Sequence, residues 1–184
     1  MTNLYKKVFP KGTPIVCACE KGRFEDVKLL ITGRNDVNGS NGNNNNMTLK
    51  EYANQVGTNS GDIDRTPLMA AVANKHFQIV KYLIEQGEAD PNIADSIGRN
   101  ALHLAAKNNK KDTKLIELLL TNMPLTSINK KVGSWGTPLD WAYIYNDSPI
   151  RQEIIALLRS KGGKANHFDV NGRNVGSGNG DLNH

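Results

Sequence analysis

The chain of 184 residues carries a formal net charge of +5 and is 38% hydrophobic but only 6% aromatic. No apolar run approaches the roughly 18 residues of a membrane span, and residues 1–10 lack the apolar stretch of a signal peptide, so we expect a cytoplasmic protein with no membrane partner. A chain of this size buries about 70% of its unfolded surface, here through small aliphatic contacts.

The N-terminal residues 1–11 precede the first regular pattern in the chain. Their apolar side chains recur at helical spacing, at Leu4, Tyr5, Val8 and Phe9. We expect this segment to cover the open end of the structure that follows.

Four stretches of the chain then open alike. They begin at Thr13, Thr66, Asn100 and Thr137, and each continues with an alanine at a fixed offset and a stripe rich in Leu, Ile and Val. Thr and Asn are good N-cap residues, and Pro, which follows the cap in three of the four, suits the first helical position. Each stretch therefore predicts two short helices, and neither helix of a pair can bury its apolar stripe without neighbouring pairs.

Residues 39–61 interrupt this pattern after the first pair of helices. The asparagine-rich part around residues 43–46 predicts a mobile loop. Thr48 and Glu51 form a capping-box pattern before an apolar stripe, which predicts one short helix that Gly57 ends. Two interpretations stay open for this insertion: a contact element for a partner, and a helix that only packs on its own neighbours.

Glycines predict where the other elements end. Gly33, Gly87 and Gly162 are expected just past the second helices, and Gly98 is expected in a turn that needs a positive backbone angle. Asp140, three residues after Thr137, predicts a second capping box.

The closest match to a known pattern is the run Leu102, His103, Leu104, Ala105, Ala106 after the third opening. With 34 and 37 residues between the later openings, the chain resembles the ankyrin-repeat family, whose period is about 33 residues. The resemblance implies an all-α solenoid of stacked helix-turn-helix units with β-turn fingers. It implies one domain over residues 1–175 with a flexible tail at 176–184. Within that domain lie repeats at 12–38, 64–92, 98–129 and 135–166, and a fifth finger at 167–175.

The resemblance also implies a concave binding surface, made of finger tips and the exposed side of each first helix. The corresponding positions are Ile63, Arg65, Ala73, Asn74, Ser96, Ile97, Arg99, Lys107, Asn108, Ser134, Trp135, Gly136, Ile144, Tyr145 and Arg173. Among these, Trp135, Tyr145 and Arg99 are of the residue types that most often anchor interfaces. The alternatives are that Trp135 covers a repeat junction and that Tyr145 contacts the helix connection.

Signs of chemistry are few in this sequence. His103 and His76 have no Cys or Glu at metal-ligand spacing, and we expect both to be structural. Cys17 and Cys19 are two apart on a predicted helix, which suits neither a disulfide nor a metal pair. With no nucleophile or phosphate-binding motif either, we expect no enzyme activity, no cofactor and no metal.

The positive charge admits a nucleic-acid hypothesis, but the lysine pairs are scattered and no aromatic residues interleave with them. We therefore expect a monomer that acts as a non-catalytic protein-interaction module, with a preference for acidic partners. The alternative is a regulatory or inhibitory subunit that docks stoichiometrically on an enzyme.

Overall fold

A computed structural model of the chain describes residues 13–35, 48–58, 64–168 and 173–174. The expected N-terminal cap, the asparagine-rich loop, Ile63, most of the fifth finger and the tail at 176–184 lie outside the described residues.

Within the described part of the chain, the helices form four successive hairpins with shorter elements between them. In chain order the elements are α1 (Pro14–Glu20), α2 (Phe24–Asn35), α3 (Leu49–Asn54), β1 (Gly57–Thr58), β2 (Asp64–Arg65), α4 (Pro67–Ala73), α5 (Phe77–Glu85), α6 (Ala101–Asn108), α7 (Lys114–Thr121), α8 (Leu125–Ile128), a 3-10 turn (Gly133–Trp135), α9 (Pro138–Tyr145) and α10 (Arg151–Ser160). The hairpins are α1/α2, α4/α5, α6/α7 and α9/α10, and β1 pairs with β2 antiparallel.

The hairpins stack into an all-α solenoid. The first helices lie side by side, with α4 between α1 and α6, and with α6 between α4 and α9. The second helix α5 contacts both α2 and α7. The alanine at the fixed offset is fully buried in each first helix (Ala18, Ala71, Ala105, Ala142). A side chain this small lets neighbouring helices approach closely, which explains a core with few aromatic residues.

Side-chain caps begin three of the four first helices. The side-chain oxygens of Thr66, Asn100 and Thr137 each accept a hydrogen bond from the backbone N–H three residues later. Thr13 precedes α1 but makes no such bond, so the cap expected there is wrong. Its side chain lies against Gly57, where even a single added Cβ would collide with the Thr13 hydroxyl.

Glycines end fewer helices than expected. Gly33 lies inside α2, which continues to Asn35, so its predicted role as a stop is wrong. The positive backbone angle after α5 is at Glu88 (φ +53°) and not at Gly87, whereas Gly162 (φ +82°) and Gly98 (φ +90°) adopt it as predicted. Likewise Gly57 does not stop α3: it belongs to β1, where it permits the close approach of Thr13.

In the third and fourth repeats, polar side chains at the first or fourth position of the opening bond the segment that follows the second helix. His103 packs beside Asn100, its Nδ1 2.7 Å from Asn100 Oδ1, and the Asn100 amide donates to the Ser127 carbonyl at 2.8 Å. In the last repeat Asp140 occupies this position, and its carboxylate accepts the N–H groups of Asn166 and His167 at 2.9 Å. A histidine and an aspartate thus make the same kind of connection.

A second connection runs between the turns that join the two helices of each hairpin. His76 Nε2 lies 3.1 Å from the carbonyl oxygen of Glu20 in the preceding repeat, to which the Nε2–H tautomer donates. Two repeats later, the Asn146 amide donates to the carbonyls of Ala106 and Asn109 at 2.7 and 2.9 Å. Different polar residues therefore satisfy equivalent backbone groups along the stack.

The insertion contributes α3, as its capping-box pattern predicted. Tyr52 and Ala53 are buried, and α3 packs against α2 and α4. At its end, Asn54 accepts the N–H of Asp90 at 2.6 Å and donates to the Glu88 carbonyl at 2.9 Å. The described part of the insertion thus packs on its own repeats and holds the exit of α5.

The end of α8 has the same geometry at the exit of α10. Asn129 accepts the N–H of Lys164 at 2.6 Å and donates to the Gly162 carbonyl at 3.0 Å. Asn92 stands eight residues before the third opening, as Asn129 does before the fourth. Asn92 makes a different bond: its amide donates to Asp90 Oδ1 at 2.7 Å, and its Oδ1 has no partner among the described residues. The N–H of Ser127, which stands as far after the third opening as Lys164 does after the fourth, donates instead to the Pro124 carbonyl at 2.9 Å.

Candidate functional site

Most of the contact residues predicted on the finger tips are exposed, but Arg65 and Arg99 are half-buried and Gly136 is buried. Ser96 and Ile97 lie at the turn between α5 and α6, and Ser134 lies in the 3-10 turn before α9. Arg173 is exposed on the short described part of the fifth finger. Ile63 lies outside the described residues, so its position stays a prediction.

Three aromatic rings of the last repeat, from Trp135, Trp141 and Tyr145, form what we name the aromatic cluster. The ring centroid of Trp141 is 5.3 Å from that of Tyr145 and 6.5 Å from that of Trp135. The ammonium of Lys107, from the preceding repeat, lies 4.9 Å from the Tyr145 centroid and 5.9 Å from the Trp141 centroid, within cation–π range. The cluster therefore brings together three of the predicted contact residues: Lys107, Trp135 and Tyr145.

The two tryptophans of the cluster differ in exposure. Trp135 is 55% exposed, whereas Trp141 is 2% exposed and stands edge-on to the His103 ring at 5.4 Å. Trp141 is thus the buried ring of the cluster, and Trp135 is its most accessible ring. Ile144, next to Tyr145 on α9, is also exposed.

Trp141 was not among the predicted contact residues, although it holds the cluster together. The resemblance assigned contacts to finger tips and helix ends, and Trp141 lies in the middle of α9. A usable signal was present, because Trp141 and Tyr145 are four residues apart on a predicted helix and such residues are neighbours on its surface.

Arg99 is held by its own finger. Its Nε donates to Asp95 Oδ2 at 2.6 Å, and its side chain is only 13% exposed. Asp95 Oδ1 accepts the backbone N–H groups of Ile97 and Arg99, which closes the turn. On the neighbouring finger, burial and the nearby charge of Arg99 lower the pKa of Arg65. Arg99 therefore stabilises the conformation of its own finger, whereas Trp135 is accessible to a partner.

Two predicted contact residues on the first helices bond to backbone. The Asn74 amide donates to the Ala70 carbonyl at 3.0 Å and caps the end of α4. The Asn108 amide donates to the Ala73 carbonyl of the preceding repeat at 3.4 Å. Asn74 is exposed and Asn108 half-buried, so parts of both side chains still face solvent.

Among the described residues, no three His, Cys, Asp or Glu side chains come close enough to hold a metal ion. Cys17 and Cys19 are buried in α1, and burial raises the pKa of both thiols. Burial also lowers the pKa of His103 to about 4, so its imidazole is neutral near neutral pH. Over the same residues, no helix combines the length and apolar character needed to cross a membrane.

A protein-family model described as "Ankyrin repeats (3 copies)" matches residues 2–95, 42–132 and 68–171 of the chain. The matches overlap and together extend over most of the chain. The search of curated proteins finds no match.

Proposed function

Because the chain belongs to the ankyrin-repeat family, whose members are generally protein–protein interaction modules, we propose that it holds a folded protein partner on its fingers and first helices. The family is typically non-catalytic, and the proposal assigns no reaction to the chain. The aromatic cluster is the centre of the proposed surface.

The exposure of Trp135 is the observation that carries this proposal. A tryptophan that is more than half exposed costs free energy in water, and tryptophan is among the residue types that dominate interface energetics. The contact with Trp141, whose ring centroid is 6.5 Å away at an interplanar angle of 36°, orients the Trp135 ring before any partner binds, so binding has less side-chain entropy to remove.

The surroundings of Trp135 suit an interface. Ile144 on α9 and Ile97 on the neighbouring finger are exposed apolar side chains from the two kinds of element that form the proposed surface. Apolar residues at the centre with polar side chains around them are typical of interfaces between proteins.

Affinity capture from a lysate of the source cells tests the proposal. The baits are the wild-type chain, Trp135→Ala, and Leu29→Ala as a matched control. Leu29 is 60% exposed on α2, a second helix away from the fingers. We expect one protein, identified by mass spectrometry, to be retained by wild type and Leu29→Ala and lost by Trp135→Ala. Equal capture by all three baits would show that the proposed surface is not the binding site.

The same experiment addresses the alternative of a regulatory or inhibitory subunit. If the captured protein is an enzyme bound in equal amount, its activity is measured with and without the chain. A change in that activity, absent with Trp135→Ala, would establish regulation, and an unchanged activity would leave simple binding.

A further inference from the structure

We infer that the aromatic cluster and Lys107 receive an acidic segment of the partner protein, with one carboxylate of that segment bound by the Lys107 ammonium and an apolar side chain packed on Trp135. This inference rests on the proposed function and adds the chemistry of the partner.

Acidic side chains around the site are all engaged within the chain. Residues 93–146 contain four of them: Asp95, Asp112, Glu117 and Asp140. Asp95 and Asp140 are buried and accept backbone N–H groups, as described above. Asp112 and Glu117 belong to the start of α7, a second helix, where they bond to the Lys114 N–H and the Thr113 hydroxyl.

Most basic side chains near the site have no carboxylate partner within the described residues. The fingers and first helices of the same stretch carry Arg99, Lys107, Lys130 and Lys131. Arg99 is paired with Asp95, but none of the three lysines pairs with a carboxylate among the described residues. Just beyond this stretch, the exposed Asp147 carboxylate is paired with Lys110. The proposed surface thus presents Lys107, Lys130 and Lys131 without carboxylate partners, which is complementary to an acidic partner.

Lys107 is placed so that it can bind the carboxylate of the partner segment while the apolar side chain of that segment packs on Trp135. Its ammonium rests over Tyr145 and Trp141, and Trp141 is also in contact with the exposed Trp135. A cation–π contact at a site open to water is weak, so a carboxylate can draw the ammonium off the rings at small cost. The ammonium and the exposed indole of Trp135 thus lie on two sides of Trp141, which matches an acidic residue close to an apolar one in the partner segment.

A protein segment fits this site better than a nucleic acid. Single-stranded nucleic acids bind by stacking successive bases on several aromatic faces. The cluster offers one accessible ring, Trp135, because Trp141 is buried between its neighbours and Lys107 covers the face of Tyr145. The experiment must therefore distinguish binding of an acidic peptide from binding of nucleic-acid phosphates.

Intrinsic fluorescence provides a direct measurement, because both tryptophans of the chain belong to the cluster. The probes are blocked peptides of one leucine between pairs of glutamates, the same peptide with glutamines, and an oligothymidine. We expect the glutamate peptide to bind about tenfold more tightly than the glutamine peptide at low salt, with the difference shrinking at high salt. Equal binding of the two peptides, or tighter binding of oligothymidine, would overturn the inference.

Charge-reversal variants then test whether Lys107 is the residue that binds the carboxylate. Lys107→Glu should weaken binding of the glutamate peptide about tenfold, whereas Lys114→Glu should leave it unchanged. The control makes the same charge change in the exposed first turn of α7, where a carboxylate stabilises the helix. Equal weakening by both variants would reduce the effect to net charge and refute a specific role of Lys107.

The captured partner separates failure of this inference from failure of the proposed function. A partner that is lost with Trp135→Ala but kept with Lys107→Glu leaves the binding surface in place and refutes the acidic segment. A partner kept with Trp135→Ala refutes the surface itself. A partner lost with both variants and kept with Lys114→Glu supports both proposals.

Discussion

His103 and Asp140 show that one position of the repeat accepts opposite residue types. Each stands three residues after the N-cap of its helix: the Asp140 carboxylate accepts the Thr137 N–H at 2.8 Å, whereas His103 Nδ1 lies 2.7 Å from Asn100 Oδ1, to which the Nδ1–H tautomer donates. Asp140 supplies acceptor oxygens to the N–H groups of the next finger, whereas the neutral imidazole of His103 orients the Asn100 amide that makes the corresponding connection. The local requirement is therefore a hydrogen-bond partner of suitable reach and not a particular charge.

The lowered pKa of His103 predicts a loss of stability in acid. Because its pKa falls from 6.5 when unfolded to about 4 when folded, the unfolded chain binds a proton first. The unfolding free energy should therefore be unaffected by this group above about pH 6.5 and fall by about 3 kcal/mol as the pH falls to about 4. Urea unfolding at several pH values measures this loss.

His103→Gln is the control for this prediction. Other groups that face His103, namely Asp95 and Arg99, are present in both proteins, so the difference between the two pH profiles isolates the imidazole. Between about pH 7 and about pH 4.5 the wild type should lose about 2–3 kcal/mol more than the variant. Parallel profiles would mean that folding does not lower the pKa of His103.

At the scale of elements, short connecting helices are fixed by single asparagines. Asn129 bonds both the N–H of Lys164 and the carbonyl of Gly162, whereas the Asn92 amide bonds Asp90 Oδ1 and the Ser127 N–H donates to the Pro124 carbonyl. The two residues therefore provide a matched pair, at the same distance from the next opening.

Asn129→Ala should destabilise the chain by about 1–2 kcal/mol, because it leaves two backbone groups without partners. Asn92→Ala should cost less, about 0.5–1 kcal/mol, because it removes one side-chain hydrogen bond, to Asp90, and leaves no N–H or carbonyl of the next repeat without a partner. Denaturant unfolding of both variants measures the difference, and an equal cost for the two variants would contradict the role of Asn129 at the exit of α10.

Two glycines of the first hairpin predict effects of opposite sign. Gly22 has φ +70°, and an added Cβ would lie 2.6 Å from the His76 ring, whereas Gly33 lies inside α2 with open space around it. Gly22→Ala should cost about 1–2 kcal/mol from the backbone alone, and more from the displaced histidine. Gly33→Ala should stabilise by about 0.5–1 kcal/mol. Melting curves measure both, and a lower melting temperature for Gly33→Ala would contradict the helical boundary at Asn35.

The whole molecule is held together by contacts between neighbouring repeats. Helices α4 and α6 each have a first helix on both sides, whereas α9 has a described neighbour on only one. The stability of a solenoid is approximately the sum of such neighbour terms, so local opening should be easiest at an end.

Hydrogen exchange measures this difference along the stack. Amide protons of α4 and α6 should exchange more slowly than those of α10, at a pH near neutrality where His103 is neutral. Exchange at one common rate in all three helices would indicate that the chain opens only as a whole.

The sequence by itself determined the starts of the first helices, the stacking of hairpins and the family, because N-caps, prolines and the spacing of apolar residues act within a few residues. It also predicts that Trp135, Tyr145 and Lys107 are contact positions, which stays a prediction. Only the tertiary structure decided that the Thr13 side chain lies against Gly57 and makes no capping bond. It also decided that Asp95 holds Arg99 and that Trp141 contacts both other rings of the aromatic cluster. Each of these outcomes depends on how closely side chains approach in the folded chain, and no local pattern encodes those distances.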